Sequence, residues 1–345
     1  MRIIILGGGF CGSLIAKKLD KKRNVEVILI DKKDYFEYSP SLWKLLLKPE
    51  DHRQYIIPFP RFLKHTHLIN TSTLHVTPDF IETEKEKLTF DYLIISTGID
   101  YPIFLENKKN IFVVKEGIEV IRNSDEIATA KTILIIGGGL IGTEIAGELI
   151  AASPKKNIIL IHSHHRLLER NRKTVSAYAT KFLKDHGVKI IVDEEVIDHK
   201  NGTFVTNKKR TIVADVGIWC AGIVSNPWFM KGFDSSIFTK NNALKVNQFL
   251  QLVGYPKIFV GGDINNIKEE KTAVNAMRHG TLILSNIHRS IKTKRLLIYK
   301  SRQEPMIISL GRYNAILTYW LFIIPGLIPA VIKYLLEKIE MKKLK

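Results

Sequence analysis

Short, wholly apolar runs bounded by polar or turn-forming residues recur along the chain, and they read as strands buried on both faces of a parallel sheet. Arg2 to Leu6 is the first; Phe10 to about Asp20 then reads as a helix, and Val25 to Ile30 as a second strand ending at Asp31. The same order returns as Thr132 to Ile136, Leu140 to about Ala151, and Ile158 to Ile161. Each unit closes on a similar strand, DYLIISTGID and ADVGIWCAGI, which aligns Asp91 with Asp215, Ile94 with Ile218 and Gly98 with Gly222. A hairpin-like stretch precedes each closing strand, FIETEKEKLTF in one unit and FVTNKKRTIV after Asn201-Gly202 in the other. A later strand, Lys257 to Val260, runs into Gly261-Gly262-Asp263, and a helix from about Thr272 to His288 follows. The pattern predicts an α/β chain of two Rossmann-type units, one inserted in the other. Residues 1–114 and 245–310 form the outer unit, 115–244 the nested one, and 311–345 a separate C-terminal segment.

Both units place Gly-x-Gly-x-x-Gly between strand and helix: Gly7, Gly9 and Gly12 in IIILGGGFCG, and Gly137, Gly139 and Gly142 in ILIIGGGLIG. Glycine at these places permits a sharp turn, close approach of a pyrophosphate to the backbone, and tight packing of a helix whose first amides face the anion. Two copies in this context predict two bound nucleotides.

The C-terminal segment departs from this pattern. Tyr313 to Ile332 contains no charged residue, and twenty helical residues would just cross a hydrocarbon core. Pro325-Gly326, Pro329 and the basic stretch from Lys333 to Lys345 argue instead for a bent segment lying in one leaflet. Leu335, Leu336, Ile339 and Leu344 among lysines and glutamates resemble an interfacial helix. The alternatives are a helical homodimer interface and a hairpin capping the core.

Composition refines the picture. With 45% hydrophobic and 25% charged residues the chain folds, and 52 Lys and Arg against 34 Asp and Glu give a net charge of +18. That excess either serves solubility or attracts anions such as nucleotide phosphates and an anionic membrane surface. No DNA-binding motif or aromatic-interleaved basic stretch is visible, so no nucleic-acid partner is expected. The two cysteines, Cys11 and Cys220, form no Cys-x-x-Cys pair, and electrons would travel through bound cofactors. A strand starting at Arg2 leaves no room for a cleaved leader, so the expected location is the cytoplasmic face of a membrane.

Several side chains carry the chemistry. Asp31, nineteen residues after Gly12 and followed by Lys32, stands where a carboxylate accepts from adenosine ribose hydroxyls. In the second unit His162 holds that place, followed by Ser163, His164, His165 and Arg166; without the acid, Arg166 or a protonated histidine can pair with a 2′-phosphate, leaving NADH and NADPH both open. No Cys or carboxylate ligand set accompanies the histidines, and no metal is expected. Asp263 suits a ribityl chain, and the helix starting near Thr272 and Ala273 directs its positive end at the pyrimidine side of a flavin, which makes FAD the first cofactor. Glu144 and Glu148 share a helix face, Glu144 within reach of a nicotinamide ribose or amide.

The first glycine loop, Asp31, DYFEYSPSLWKLLL, Ser96-Thr97-Gly98, GGGLIGTEIAGELI and IFVGGDIN together resemble the two-dinucleotide flavoproteins, in particular type II NADH dehydrogenases and ferroptosis-suppressor or apoptosis-inducing-factor-like NAD(P)H:quinone reductases. The resemblance covers nearly the whole chain. It implies FAD held at Gly7, Gly9, Phe10, Gly12, Asp31, Lys32, Thr97, Gly98, Asp263, Thr272 and Ala273. It likewise implies NAD(P)H held at Gly137, Gly139, Gly142, Glu144, His162, Arg166 and Gly222, a quinone acceptor, and a membrane-seated tail. Lys271, with Tyr38 or Trp43, is the candidate on the quinone side, and Lys271 and Glu144 are the catalytic candidates. Lys271-Thr272-Ala273 replaces the glutamine-rich motif of the respiratory enzymes and fits the ferroptosis-suppressor branch better. Cys11 stands in place of a glycine and reads as a packing residue, while Tyr-Phe-x-Tyr-x-Pro-Ser also resembles sulfide:quinone reductases, whose reaction needs a cysteine pair. A reductase of a soluble electron-carrier protein is the remaining enzymatic alternative.

Overall fold

The computed structural model describes residues 1–225 and 227–344, and within a six-stranded sheet the strands Arg2–Leu6, Glu26–Asp31 and Tyr92–Ile95 run parallel with Arg2–Leu6 in the centre. The chain then leaves this sheet and builds a five-stranded one around Thr132–Ile136, Asn157–Ile161 and Val216–Trp219. It returns with Tyr255–Val260, which pairs parallel with Tyr92–Ile95. The central strands are solidly apolar because both faces are covered, one by helices and the other by residues of antiparallel strands such as Ile81 and Phe204: Ile3, Ile4, Ile5, Ile133, Leu134 and Ile135 are fully buried.

The internal duplication extends to single hydrogen bonds. Asp91 Oδ2 accepts the Arg2 amide at 2.7 Å, and Asp215 Oδ2 accepts the Lys131 and Thr132 amides at 2.8 Å. Gly98 and Gly222 both take positive φ, +75° and +70°. Each hairpin-like stretch gains a third strand, giving antiparallel sheets over residues 73–89 and 196–213.

The tail corrects the sequence expectation. Residues 313–332 are not a bent helix; strands Ala315–Tyr319 and Phe322–Gly326 form a hairpin that pairs with Met306–Ser309, and only then does the helix Leu327–Leu344 begin. Pro325 sits on the edge strand, where its missing N–H costs no ladder bond, and Pro329 falls in the first helical turn, where it also costs none. The core-capping hairpin is the alternative the chain adopts. Ile308, Leu310 and Ile316 are buried in the core that also holds Ile145, Ala146 and Leu149 of the Leu140–Ala152 helix. Gly147 makes this approach possible, since a Cβ there would lie 2.6 Å from the Leu310 backbone. The hairpin tip stays outside: Trp320, Leu321 and Phe322 are 67%, 72% and 70% exposed. Among the described residues no helix is long and apolar enough to cross a membrane, and Lys345 and the Leu344 side chain lie outside the described part.

Candidate functional site

The two glycine loops divide the same labour. Gly7 and Gly137 turn with φ of +92° and +115°, and a Cβ on either would collide with the closing strand at Ser96 or Cys220. Gly12 and Gly142 bring helix onto loop, where a Cβ would lie 2.0 Å and 1.9 Å from the Gly7 and Gly137 carbonyl oxygens. Gly9 and Gly139, by contrast, face open space, with no atom within 4 Å of an added Cβ. This is the geometry a pyrophosphate needs, so both loops fit the dinucleotides that the sequence called for.

One cleft of about 1130 Å³ collects most of the predicted residues. Gly7, Gly9, Phe10, Asp31, Thr97, Gly98, Asp263, Lys271, Thr272, Ala273 and Glu144 all line it, together with Leu140 and Ile141 at the start of the nested unit's helix. Lys32 does not line it; its neighbour Lys33 does, paired at 3.0 Å with Glu37. Gly137, Gly139, Gly142, His162, Arg166 and Gly222 also lie off this cleft, on the nested unit's own nucleotide turn. Asp31 closes the first loop by accepting Gly8 N–H through Oδ2 at 2.6 Å and Lys33 N–H through Oδ1 at 2.8 Å. Phe10 is braced edge-on against Phe36 and Tyr38.

At the far end, Asp263 and Lys271 are half-buried near one another. Burial pushes the Asp263 carboxyl up and pulls the Lys271 ammonium down, and Lys271 Nζ donates to the Asn265 carbonyl at 2.8 Å. Thr272 is the N-cap of the Ala273–Ile291 helix, its hydroxyl accepting the Asn275 amide, so the helix's positive end opens onto the cleft. Below it Gly262 N–H donates to His279 Nδ1 at 3.1 Å, and His279 Nε2 lies 3.0 Å from Glu269 Oε1.

Glu144 is held by residues that sequence reading did not find. It pairs with Lys333 of the tail helix and accepts the Ser309 amide at 2.9 Å, while Ser309 Oγ donates to Glu148. Burial pushes the Glu148 carboxyl up. On the tail helix, Glu337 accepts from Ser41 Oγ at 2.6 Å and Lys44 Nζ at 2.7 Å. Trp43, a quinone-side candidate, is buried with Lys44 and Lys333 over its ring, whereas Tyr38 lines the cleft. The signal missing from the sequence is one of distance, since Ser309 and Lys333 lie 165 and 189 residues from Glu144.

The nested unit's nucleotide turn differs from expectation in two ways. Arg166 is not free for a phosphate, because its guanidinium donates to the carbonyls of Leu168 and Glu169. A carboxylate also joins the histidines after all: His162, His164 and Glu169 bring nitrogen and oxygen atoms within 4.8 Å of one another. Gly138 N–H donates to His162 Nδ1 at 3.1 Å, so the ring proton sits on Nε2, which donates to Glu169 at 2.9 Å and has no lone pair for a cation. Cys11 is a packing residue, wedged against Gly261 and Ile283. Burial pushes both thiols up to about 12, and neither cysteine has the character of a sulfide-handling nucleophile.

Comparison with known proteins agrees with this geometry. Residues 1–280 match the pyridine nucleotide-disulphide oxidoreductase family. Apoptosis-inducing factor homolog A of Dictyostelium discoideum is 31% identical over 343 residues, covering 90% of this chain and 82% of the relative. Ferroptosis suppressor protein 1 of Mus musculus is 28% identical over 333 residues, covering 92% and 88%. Among solved structures, NDH2 from Plasmodium falciparum in complex with NADH superposes with a TM-score of 0.88 at 16% identity, over 97% of this chain and 93% of that one. The sulfide:quinone oxidoreductase of Aquifex aeolicus gives a TM-score of 0.84 at 16% identity, over 99% and 91%. The chain belongs to the pyridine nucleotide-disulphide oxidoreductase family and is an FAD-dependent NAD(P)H dehydrogenase.

Proposed function

We propose that this dehydrogenase reduces a quinone drawn from an anionic membrane surface, with FAD in the outer unit (1–114 and 245–310), NADH or NADPH in the nested unit (115–244), and the tail (311–345) as the membrane-facing side. One observation carries the reading: the cleft that begins at the first glycine loop and Asp263 continues past Leu140, Ile141 and Glu144 to Leu317, Thr318, Ile332, Lys333 and Leu336 of the tail. Flavin, nicotinamide and an apolar acceptor can therefore share one space, and the acceptor's side is walled by the same segment whose outer residues are apolar and exposed. Bound FAD supplies the hydride and electron chemistry.

The chain's own residues position the reactants. The Gly9 and Gly139 turns present backbone amides to the two pyrophosphates, and Asp31 and Asp263 offer carboxylates toward ribose and ribityl hydroxyls. The Ala273–Ile291 helix and Lys271 place positive charge at the flavin's pyrimidine side, where a reduced ring gathers negative charge. Glu144, fixed between Lys333 and the Ser309 amide, orients the nicotinamide end, and the apolar tail residues exclude water from the acceptor's path.

Anaerobic mixing of holoprotein with NADH or NADPH tests the reading. The expected outcome is bleaching of the flavin band, reversed in one turnover by a short-chain quinone. Bleaching that a quinone does not reverse, but an oxidised electron-carrier protein does, would move the acceptor to the soluble alternative.

A further inference from the structure

The carboxylate that the nested unit lacks at its strand end is restored by the loop that follows. In the outer unit Asp31 does two jobs at once, accepting the Gly8 amide and presenting a charge at the ribose position. In the nested unit these jobs are divided. His162, at the matching strand end, accepts the Gly138 amide through Nδ1 and passes its Nε2–H to Glu169. The loop carrying Glu169 folds back onto the glycine turn, where Leu168 N–H donates to the Gly138 carbonyl at 2.8 Å, helped by a positive φ of 51° at Leu168. Leu167 packs so close that a Cβ on Gly138 would lie 2.4 Å from it. Glu169 is thereby held beside the nucleotide turn, with its side chain 22% exposed.

Of the cations that could favour a phosphate there, two are engaged with the protein and one, Arg170, stays exposed beside Glu169. Arg166 is tied to the Leu168 and Glu169 carbonyls, His164 Nδ1 is engaged with Ser163 Oγ at 3.1 Å, and Arg170 lies 3.9 Å from Glu169 Oε1 with a side chain 60% exposed. Although burial works to raise it, the Glu169 carboxyl is held below its ordinary range by hydrogen bonds from its own amide and from His162, while burial pulls the His162 imidazole down from its ordinary value. The group held beside the glycine turn is thus a carboxylate supported by the His162 ring.

We infer that Glu169, presented by His162, is the residue that selects NADH over NADPH, by accepting from the ribose hydroxyls and repelling a 2′-phosphate. The inference rests on the proposed seating of the nicotinamide coenzyme in the nested unit. A full negative charge within a few ångströms of a phosphate at a half-exposed site is expected to cost NADPH on the order of tenfold in efficiency.

The test is stopped-flow flavin reduction in holoprotein by each coenzyme, comparing wild type with Glu169→Gln, Arg166→Ala and Arg170→Ala. Glu169→Gln keeps an oxygen to accept His162 Nε2–H and removes only the charge, and retained flavin absorbance reports that the outer unit is intact. Wild type is expected to favour NADH by on the order of tenfold in rate over Kd; Glu169→Gln raises the NADPH value by on the order of tenfold and moves NADH by less than about threefold. The two arginine variants leave the NADH-to-NADPH ratio unchanged. Equal use of both coenzymes by wild type, an unchanged ratio in Glu169→Gln, or a selective loss of NADPH in either arginine variant overturns the selection while leaving coenzyme binding intact. Failure of both coenzymes to bleach wild-type flavin overturns the seating itself, and the selection with it.

Discussion

Glu144 shows how a residue's identity and its role come from different sources. Its type and its position after a glycine loop mark it in the sequence as a group near a nicotinamide, but what fixes its carboxylate is Lys333 and the Ser309 amide, brought by the tail. His162 shows the reverse: the sequence reads it as a missing acid, and packing turns it into half of a composite one. The cysteines yield a direct prediction at this scale. With both thiols pushed up to about 12 by burial, the thiolate fraction at pH 8 is roughly one in ten thousand. Native protein should resist alkylation by iodoacetamide at that pH and take up two equivalents only after unfolding, followed by intact mass. Fast modification of either cysteine in the native state would reopen a thiol-based reading.

At the level of elements, the strand–glycine turn–helix units are legible because each is specified within some thirty residues, by an apolar run, glycines at fixed spacing and a helix start. The tail departs from its expectation because its twenty uncharged residues satisfy a helix and a hairpin equally until something to pack on is known; the face of Leu140–Ala152 that Gly147 leaves open to close approach supplies it. Element ends also carry stability. Asp20, at the end of the Phe10–Leu19 helix, accepts the Lys64, His65 and Thr66 amides and the Thr66 hydroxyl. Although its burial opposes ionisation, these bonds hold its pKa below the ordinary value. The sign follows: a depressed folded pKa gives stability that is present above the unfolded value near 4 and is lost as pH falls through the folded one. Asp20→Ala is expected to lower stability at pH 7 by about 2–3 kcal/mol, because three amides lose their acceptor, and the difference from wild type should shrink below about pH 4 in urea titrations. A difference independent of pH would assign the loss to packing.

Over the whole molecule, charge and exposed apolar surface act together. In the proposed membrane-facing arrangement the net charge of +18 would draw the body toward an anionic surface, and the exposed hairpin tip with Leu327, Ile328 and Val331 of the tail helix would offer apolar groups to bury there. Replacing Trp320, Leu321 and Phe322 together with serine should release the protein from anionic vesicles in flotation assays and leave NADH-driven flavin bleaching within about twofold, since none of the three lines the cleft. Raising salt should weaken wild-type binding but not abolish it, because screening removes only the Coulombic share. Unchanged flotation of the triple variant would place the attachment elsewhere.

The sequence by itself determined the two dinucleotide turns, their strands and helices, and the nesting implied by the late return to Gly261-Gly262-Asp263, because each is written in local spacing and in apolar runs whose period needs no partner. Only the tertiary structure decided that Lys333 reaches Glu144, that Glu337 reaches Lys44, that Arg166 is consumed by its own loop while Glu169 comes to His162, and that the apolar tail is a hairpin. Those outcomes depend on which surfaces meet and which backbone carbonyls are left to satisfy, and a chain reveals neither until it has packed.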